Sequence, residues 1–342
     1  MSTSNSAPFS HDRQTSESSH SPENRNAGVA GYYNTIANAE HTRLISNRVE
    51  FELSLRTILA HLPVCEGHGL KIADIGGGTG RYVELAKLGH HVTLLDLSQA
   101  ELNLAAQHAK EEGVVLDGIY QADASALFEC CPEMRDGIGT FDAVLMLGPL
   151  YHLLEEEERI KAVRDAATLL KPGDGSESVL FASFVTTFGH LRGVARSDPG
   201  RLGREKEWYG RYLGLEGDGK GEGKGKYTRR RDEGVVSYHV HPSEIQGLFG
   251  KIRLDNQPNS LKSDLVGQVR GLGLKVEKIV ACEGFLGAEL AGNLNALGEE
   301  EWRIWMDVLE RFAGDESVLG ASEHLLAVVR VVDLSAIGEE EK

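Results

Sequence analysis

The sequence holds no apolar run long enough to cross a bilayer, and its first stretch, MSTSNSAPFSHDRQTSESSHSPENRNAG, lacks the apolar centre of a secretory signal. Neither a membrane span nor export is expected. Cysteine is scarce. Cys65, Cys130, Cys131 and Cys282 are the four in 342 residues, and they show no CxxC or other metal-ligand spacing. Adjacent Cys130 and Cys131 are poorly placed to bridge each other. With no export signal, this predicts reduced thiols and a cytoplasmic protein. Cations are outnumbered: 36 Lys and Arg stand against 52 Asp and Glu, a net charge of −16. A broad nucleic-acid footprint needs clustered Lys and Arg. The one basic cluster, Arg229 to Arg231, lies beside a Gly/Lys/Glu-rich stretch and reads as a solvated patch. No nucleic-acid partner is expected.

What the sequence does have is glycine in the right places. Lys71 to Tyr82 reads KIADIGGGTGRY: a short apolar strand, a tight turn, and a helix expected from about Thr79 to Leu88. Glycines 76, 77, 78 and 80 permit positive φ and close approach of the backbone to a ligand. The helix start would present unpaired N–H groups and partial positive charge, suited to a nucleotide-like ligand with an anionic end. A dinucleotide fingerprint needs G-x-G-x-x-G, and neither Gly76 nor Gly78 as first glycine satisfies it. No Gly-Lys-Ser/Thr follows, which excludes a P-loop. The pattern present is Asp74-x-Gly76-x-Gly78-x-Gly80.

Further along, His91 to Ser98 is a second apolar strand ending in Asp96, with Ser98 placed to cap a helix over Gln99 to Glu112. Val114 to Tyr120 reads as a third strand leading to Gln121-Ala122-Asp123-Ala124. Phe141 to Leu147 is a near-continuous apolar run, the sign of a buried parallel strand, and breaks at Gly148-Pro149 before Tyr151 and His152. A helix with an acidic first turn follows over Glu155 to Leu170, then a strand over Val179 to Val185. Before all of these, residues 31–63 have a helical pattern that Pro63 ends. Near the end, Leu274 to Ala281 reads as a sixth strand. Glu300 to Phe312 reads as an amphipathic helix with Trp302, Trp305, Met306, Leu309 and Phe312 on one face.

In order, DIGGGTGRY, VTLLDLS, QADA, FDAVLMLGPLYHLLEEEER, LLKPG and VLFASF resemble the core motifs of class I S-adenosylmethionine-dependent methyltransferases. The nearest subgroup is the small-molecule methyltransferases with a GPLYHL-type fourth motif. HPSE at 241–244, EGF at 283–285, EEEW at 299–302 and LGASEHLLAVVR at 319–330 resemble that subgroup as well. The resemblance covers residues 30–333 and implies an α/β, Rossmann-like fold: a seven-stranded, mostly parallel sheet with an antiparallel last strand, plus a helical substrate cap. The organisation expected is a disordered tail over 1–28 and one domain over 29–335, then an acidic tail over 336–342. Within the domain, 29–69 is a helical cap, 70–185 the cofactor-binding core, 186–274 a substrate cap and 275–335 the rest of the sheet. The low-complexity stretch 214–234 is expected to be mobile. It and the length around Leu254 to Asp264 depart from the subgroup and leave the substrate open.

The activity implied is transfer of a methyl group from S-adenosyl-L-methionine to an N or O atom of a small molecule. Methylation of protein or RNA, and a non-catalytic cofactor-binding subunit, are the alternatives. By the same resemblance Asp74, Gly76, Gly78 and Gly80 hold the methionine end. Asp96 with Leu97 takes the ribose, Asp123 with Ala124 the adenine, and Leu147 and Gly148 approach by backbone. Asp123 fits an Asx turn as well as an adenine contact. His152 is the candidate for orienting the acceptor or taking its proton, because imidazole titrates near neutrality; Tyr151 is the second. Tyr33, His190 and His241 are the substrate-side candidates, and His324 is a further pocket candidate. His239-x-His241 has no third ligand and makes no metal site. Oligomeric state stays open.

Overall fold

Two strands that bury both faces form the centre of the molecule. In the computed structural model, which describes residues 22–64, 67–172, 177–215, 223–227, 236–255 and 271–335, β1 (Lys71–Ile75) pairs in parallel with β4 (Ala143–Met146). Asp74 stands opposite Leu145, so the carboxyl ends of the two strands lie side by side. β2 (His91–Asp96) flanks β1 on its other edge, and β3 (Gly118–Gln121) flanks β2. β5 (Val179–Thr186) pairs with β4. β9 (His324–Asp333) lies antiparallel to β5, and β8 (Leu272–Ala281) antiparallel to β9. The resulting order, β3-β2-β1-β4-β5-β9-β8, is a seven-stranded sheet in which β9 alone runs against the rest.

A short hairpin, β6 (Lys226–Tyr227) and β7 (Ser237–Val240), is added to it. β7 pairs in parallel with Val185 and Thr186 of β5, while β9 also pairs with Val185. The hairpin therefore sits on the β4 side of β5, just past the end of β4. These two strands bring the described sheet to nine.

Residues alternate between the two faces with the period of two that strands impose. Val144, Met146, Leu180 and Ala327 pack against Ala162, Val163 and Ala166 of the helix Glu156–Ala167. Ala143, Leu145, Phe181 and Val328 pack on the other face, against Ile58 and Leu85. The helices are α1 (Pro22–Ser46), α2 (Arg48–His61), α3 (Glu84–Lys87), α4 (Gln99–Glu111), the single turns α5 (Leu127–Cys130) and α6 (Glu133–Asp136), then α7 (Glu156–Ala167), α8 (Thr187–Ser197), α9 (Arg201–Arg204), α10 (Lys206–Tyr212) and α11 (Ile245–Gly250). A late helix, Glu299–Phe312, packs Trp302, Met306 and Leu309 onto Val49 and Leu53 of α2. No described helix is long and apolar enough to cross a membrane.

Several expected boundaries move. The helix expected from Thr79 begins only at Glu84 and is four residues long. Gly80 to Ala86 is instead closed by tight three-residue-spaced bonds, such as Gly80 N to Gly77 O and Val83 N to Gly80 O. So short a helix carries little dipole, and the argument from helix charge does not hold here. The third strand starts at Gly118 rather than Val114, with Val115 exposed. Helix α1 starts at Pro22, inside the stretch 1–28 expected to be disordered. On the late helix Trp305 and Phe312 are exposed, because the buried stripe is the narrower set Trp302, Met306 and Leu309. The expectations for residues 1–21, 336–342, Cys65, Arg229 to Arg231 and most of 214–234 lie outside the described residues, as does the stretch 256–264.

Candidate active site

The turn after β1 is built on two glycines in the left-handed region, where L side chains are strained. Gly76 has φ +75°, and a Cβ there would lie 2.6 Å from Pro149 Cδ. Gly78 has φ +55°, and a Cβ there would lie 2.8 Å from Glu101 Oε2. The amides of Gly76 and Gly77 both donate to Leu95 O, at 2.7 and 3.0 Å, which ties the turn to β2. Gly148, after β4, approaches within 3.2 Å of Gly76 O by the same measure. Between the two strand ends opens a cavity of about 1230 Å³, its open mouth included. This is the crevice where open α/β sheets bind ligands.

Carboxylates gather around it. Asp96 closes β2 and accepts from Gly78 N at 2.9 Å and Ser98 N at 2.8 Å, leaving further lone pairs toward the cavity it lines. Ser98 caps α4, accepting from Glu101 N. Glu101 lines the cavity, and its Oε1 is buried without a hydrogen-bond partner. Asp74 lies directly behind the turn, 1% exposed, with both oxygens buried and without hydrogen-bond partners. Burial first, and then the nearby Asp96 charge, push Asp74 up to about 7. The same two causes, with Glu40 added, push Glu101 up to about 8. Asp123 accepts from Ser125 N at 2.8 Å and from Asn26 Nδ2, the Asx turn that its position allowed.

Helix α1 roofs the cavity and is held largely by polar side chains. Asn34 accepts from Ser98 Oγ at 2.8 Å, and His41 meets Thr79 Oγ1 at 3.0 Å. Arg25 pairs with Glu158, and Tyr33 meets His152. The His152 contacts settle its tautomer. Val236 O can only accept, so Nδ1, 3.1 Å away, carries the hydrogen. Nε2 is then the acceptor for Tyr33 OH at 3.0 Å. Burial pushes His152 down to about 4 and pushes the phenols of Tyr33 and Tyr151 up.

A second polar group lies toward β9. Glu50 of α2, Arg81 and His324 all line the cavity. Arg81 pairs with Glu50 at 3.4 Å, and His324 Nδ1 lies 2.6 Å from Glu283 Oε1. Burial pushes Glu50 up, but the charges of His324, Arg81 and Arg43 outweigh it and hold Glu50 at about 2.

The structure thus brings Gly76, Gly78, Asp96, Leu97, Asp123, Ala124, Leu147, Gly148, Tyr151, His152 and Tyr33 to one cavity. Asp74 and Gly80 stand behind its wall, Gly80 turned toward Ala105 of α4. His190 and His241 lie elsewhere. His190 packs among Tyr209, Tyr212, Tyr227 and His239, and exposed His241 caps the turn at Ser243. His239 commits both nitrogens, to Tyr212 OH and Ser237 Oγ. No described residue from 186 to 274 lines the cavity; that segment meets it through the Val236 carbonyl. Glu101, Glu50, Arg81 and Glu283 escaped the sequence reading. Glu101 alone left a signal, an acid in line with Ala105 and Ala109 on the buried face of α4.

A family model described as a methyltransferase domain matches residues 72–173. The ubiquinone biosynthesis O-methyltransferase of Caulobacter vibrioides is 38% identical over 106 residues, 31% of this chain and 38% of that protein. Its namesake from Colwellia psychrerythraea is 37% identical over 110 residues, 31% of this chain and 39% of that protein. The chain spans about two fifths of the length of these relatives. Among solved structures, phosphoethanolamine N-methyltransferase 1 of Haemonchus contortus, in complex with phosphoethanolamine and S-adenosylhomocysteine, matches with a TM-score of 0.51 at 13% identity. The match covers 92% of this chain and 51% of that one, and is a likeness of fold. The matched family segment runs from β1 past α7 and holds the glycine turn, Asp96, Asp123 and Gly148. Residues 72–173 accordingly match a methyltransferase domain.

Proposed function

We propose that the protein is an S-adenosyl-L-methionine-dependent methyltransferase acting at an O or N atom of a small molecule. The observation that carries this reading is the set of carboxylates around the glycine turn: Asp96 lines the cavity, while Asp74 and Glu101 are buried with oxygens that no donor among the described residues reaches. A buried acceptor without a donor costs about 1–3 kcal/mol, and more when charged. A ligand that brings an ammonium, a sulfonium and ribose hydroxyls supplies the missing donors and positive charge. The O-methyltransferase relatives and the N-methyltransferase of similar fold support the two acceptor atoms.

In this reading Asp96 and Leu97 hold the ribose, Asp123 and Ala124 border the adenine, and the Gly76–Gly78 turn with Leu147 and Gly148 encloses the methionine end. S-adenosylmethionine, when bound, supplies a methyl group already activated on sulfur. The chain's own work is then to position the acceptor and exclude water, and such positioning is worth up to about 7–11 kcal/mol in model systems. Helix α1 provides the cover, with Tyr33 and His152 at its inner face. Three unbridged cysteines, Cys130, Cys131 and Cys282, support a reducing compartment, and we place the reaction in the cytoplasm.

The test is calorimetric titration of the purified protein with S-adenosylmethionine, S-adenosylhomocysteine and NAD, beside an Asp96→Ala variant. Micromolar binding of both adenosyl ligands, no binding of NAD, and at least tenfold weakening in the variant are expected. Folded protein that binds neither adenosyl ligand overturns the reading. Transfer of labelled methyl to a panel of small hydroxyl and amine acceptors then identifies the substrate.

A further inference from the structure

We propose that His324, held by Glu283, is the acid–base residue at the acceptor end of the cavity, and that the acceptor presents a hydroxyl whose proton His324 takes. This rests on the methyltransferase reading above.

Glu283 is buried, 2% exposed. Its Oε2 accepts from Ser322 OH, from Glu323 N at 3.1 Å and from His324 N at 3.0 Å. A carboxylate has no hydrogen to give and can only accept. Nδ1 of His324, 2.6 Å from Oε1, must therefore carry a hydrogen. That fixes the tautomer of the neutral ring and leaves the lone pair on Nε2. No hydrogen bond among the described residues engages Nε2, and the ring lines the cavity near Ser54, Tyr82, Ser183 and Leu326. A carboxylate behind a histidine, with the far nitrogen free, is the arrangement that general-base chemistry requires. His152 lacks it, since Val236 and Tyr33 occupy both of its nitrogens.

The surrounding charges point to the acceptor class. Arg43 is paired with Glu40 and Arg81 with Glu50, so these cations are already matched within the wall. An uncharged molecule with an ionisable hydroxyl meets Ser54, Ser183 and the free Nε2. The charged groups facing His324 are Glu50 from α2, Glu283, Arg43 from α1 and Arg81. Burial pushes the imidazole down, yet Glu50 and Glu283 outweigh it and lift His324 to about 9. That is close to the value of about 10 for a phenol, which favours shared transfer of the proton.

The step balances. The O–H bond breaks and its proton goes to Nε2. The oxygen's electron pair forms the new bond to the methyl carbon. The methyl–sulfur pair stays on sulfur, so one positive charge leaves the sulfonium as one appears on the imidazole. The working form is the neutral ring, so the rate climbs as pH rises toward 9 and levels off above it.

The test uses the full chain saturated with S-adenosylhomocysteine and 4-nitrophenol as probe, whose ionised form absorbs visible light. The wild type is expected to bind it with its apparent pKa lowered by about one unit or more. In His324→Gln the shift disappears while S-adenosylhomocysteine still binds within twofold. In Glu283→Gln the shift shrinks, and the NMR titration of ring-15N-labelled His324 moves down toward the ordinary imidazole value. A full shift in His324→Gln overturns the proposal, as does a wild type that binds S-adenosylhomocysteine but shows no optical change with 4-nitrophenol. A His324 whose Nδ1 proves unprotonated overturns it too. Failure to bind S-adenosylhomocysteine at all is a different result, and removes the methyltransferase reading together with this one.

Discussion

Asp74 illustrates how a single side chain can oppose folding. It is buried behind the glycine turn with both oxygens bare, and its folded-state value of about 7 lies well above the unfolded value of about 4. Between those two values the folded protein retains a proton that the unfolded chain has lost. The stability of the ligand-free protein therefore falls as pH rises through that window, and the loss persists above it. Asp74→Asn should raise the melting temperature at pH 8 by a few degrees, on the order of 2–4 °C for each kcal/mol recovered, with no gain at pH 4. Thermal unfolding at the two pH values checks this. Cofactor affinity should move the other way: with Asp74 and Glu101 both needed as anions, S-adenosylhomocysteine binds progressively more weakly as pH drops from 8 to 6. Calorimetry across that range would show it, and a flat profile would refute it. Asp74 and Asp96 were legible in the sequence because each ends an apolar run beside a turn. Glu50 and Glu283 were not, since what makes them special is a histidine that only the closed sheet brings near them.

At the scale of elements, the turn and helix α1 behave differently. The turn is rigid by sterics: Gly76→Ala must take an L-residue to φ +75° and push on Pro149. We expect a cost of about 1–3 kcal/mol in stability, measured by denaturant unfolding, together with loss of cofactor binding. Helix α1 is held mainly by side-chain hydrogen bonds, and Asn26, Val29 and Ala37 are its buried residues among those described. The double variant Asn26→Ala, Tyr33→Phe should lose about 1 kcal/mol per bond and release bound S-adenosylhomocysteine several-fold faster in stopped flow, while leaving the sheet's hydrogen exchange unchanged. The sequence disclosed the glycine turn because its information is local. It misplaced the start of α1 because a polar helix docked by hydrogen bonds has the composition of a tail. It overextended the helix after Thr79 because periodicity does not register the tight turns that glycine allows.

For the whole molecule, the succession of strands along the chain was readable from apolar runs and breaks, and the antiparallel last strand came with the resemblance. The β6–β7 hairpin was not, because two- and four-residue strands leave no periodic signal. The late helix Glu299–Phe312 closes onto α2 through fully buried Met306. Met306→Ala should cost about 2–5 kcal/mol, read from the unfolding midpoint, and should loosen α2 with it. That same α2 continues from α1 after Asn47, so the roof of the cavity hangs on one hinge at the edge of a packed core. The consequence is one of timing. With a roof held mainly by side-chain hydrogen bonds, we expect ligand exchange to be clocked by how often the helix lifts, not by how often molecules collide with the mouth. Arrival and departure should both slow in proportion, leaving affinity nearly unchanged, when α1 is pinned to α4 by an engineered disulfide. A bound S-adenosylhomocysteine would then stay for as long as the first helix stays down.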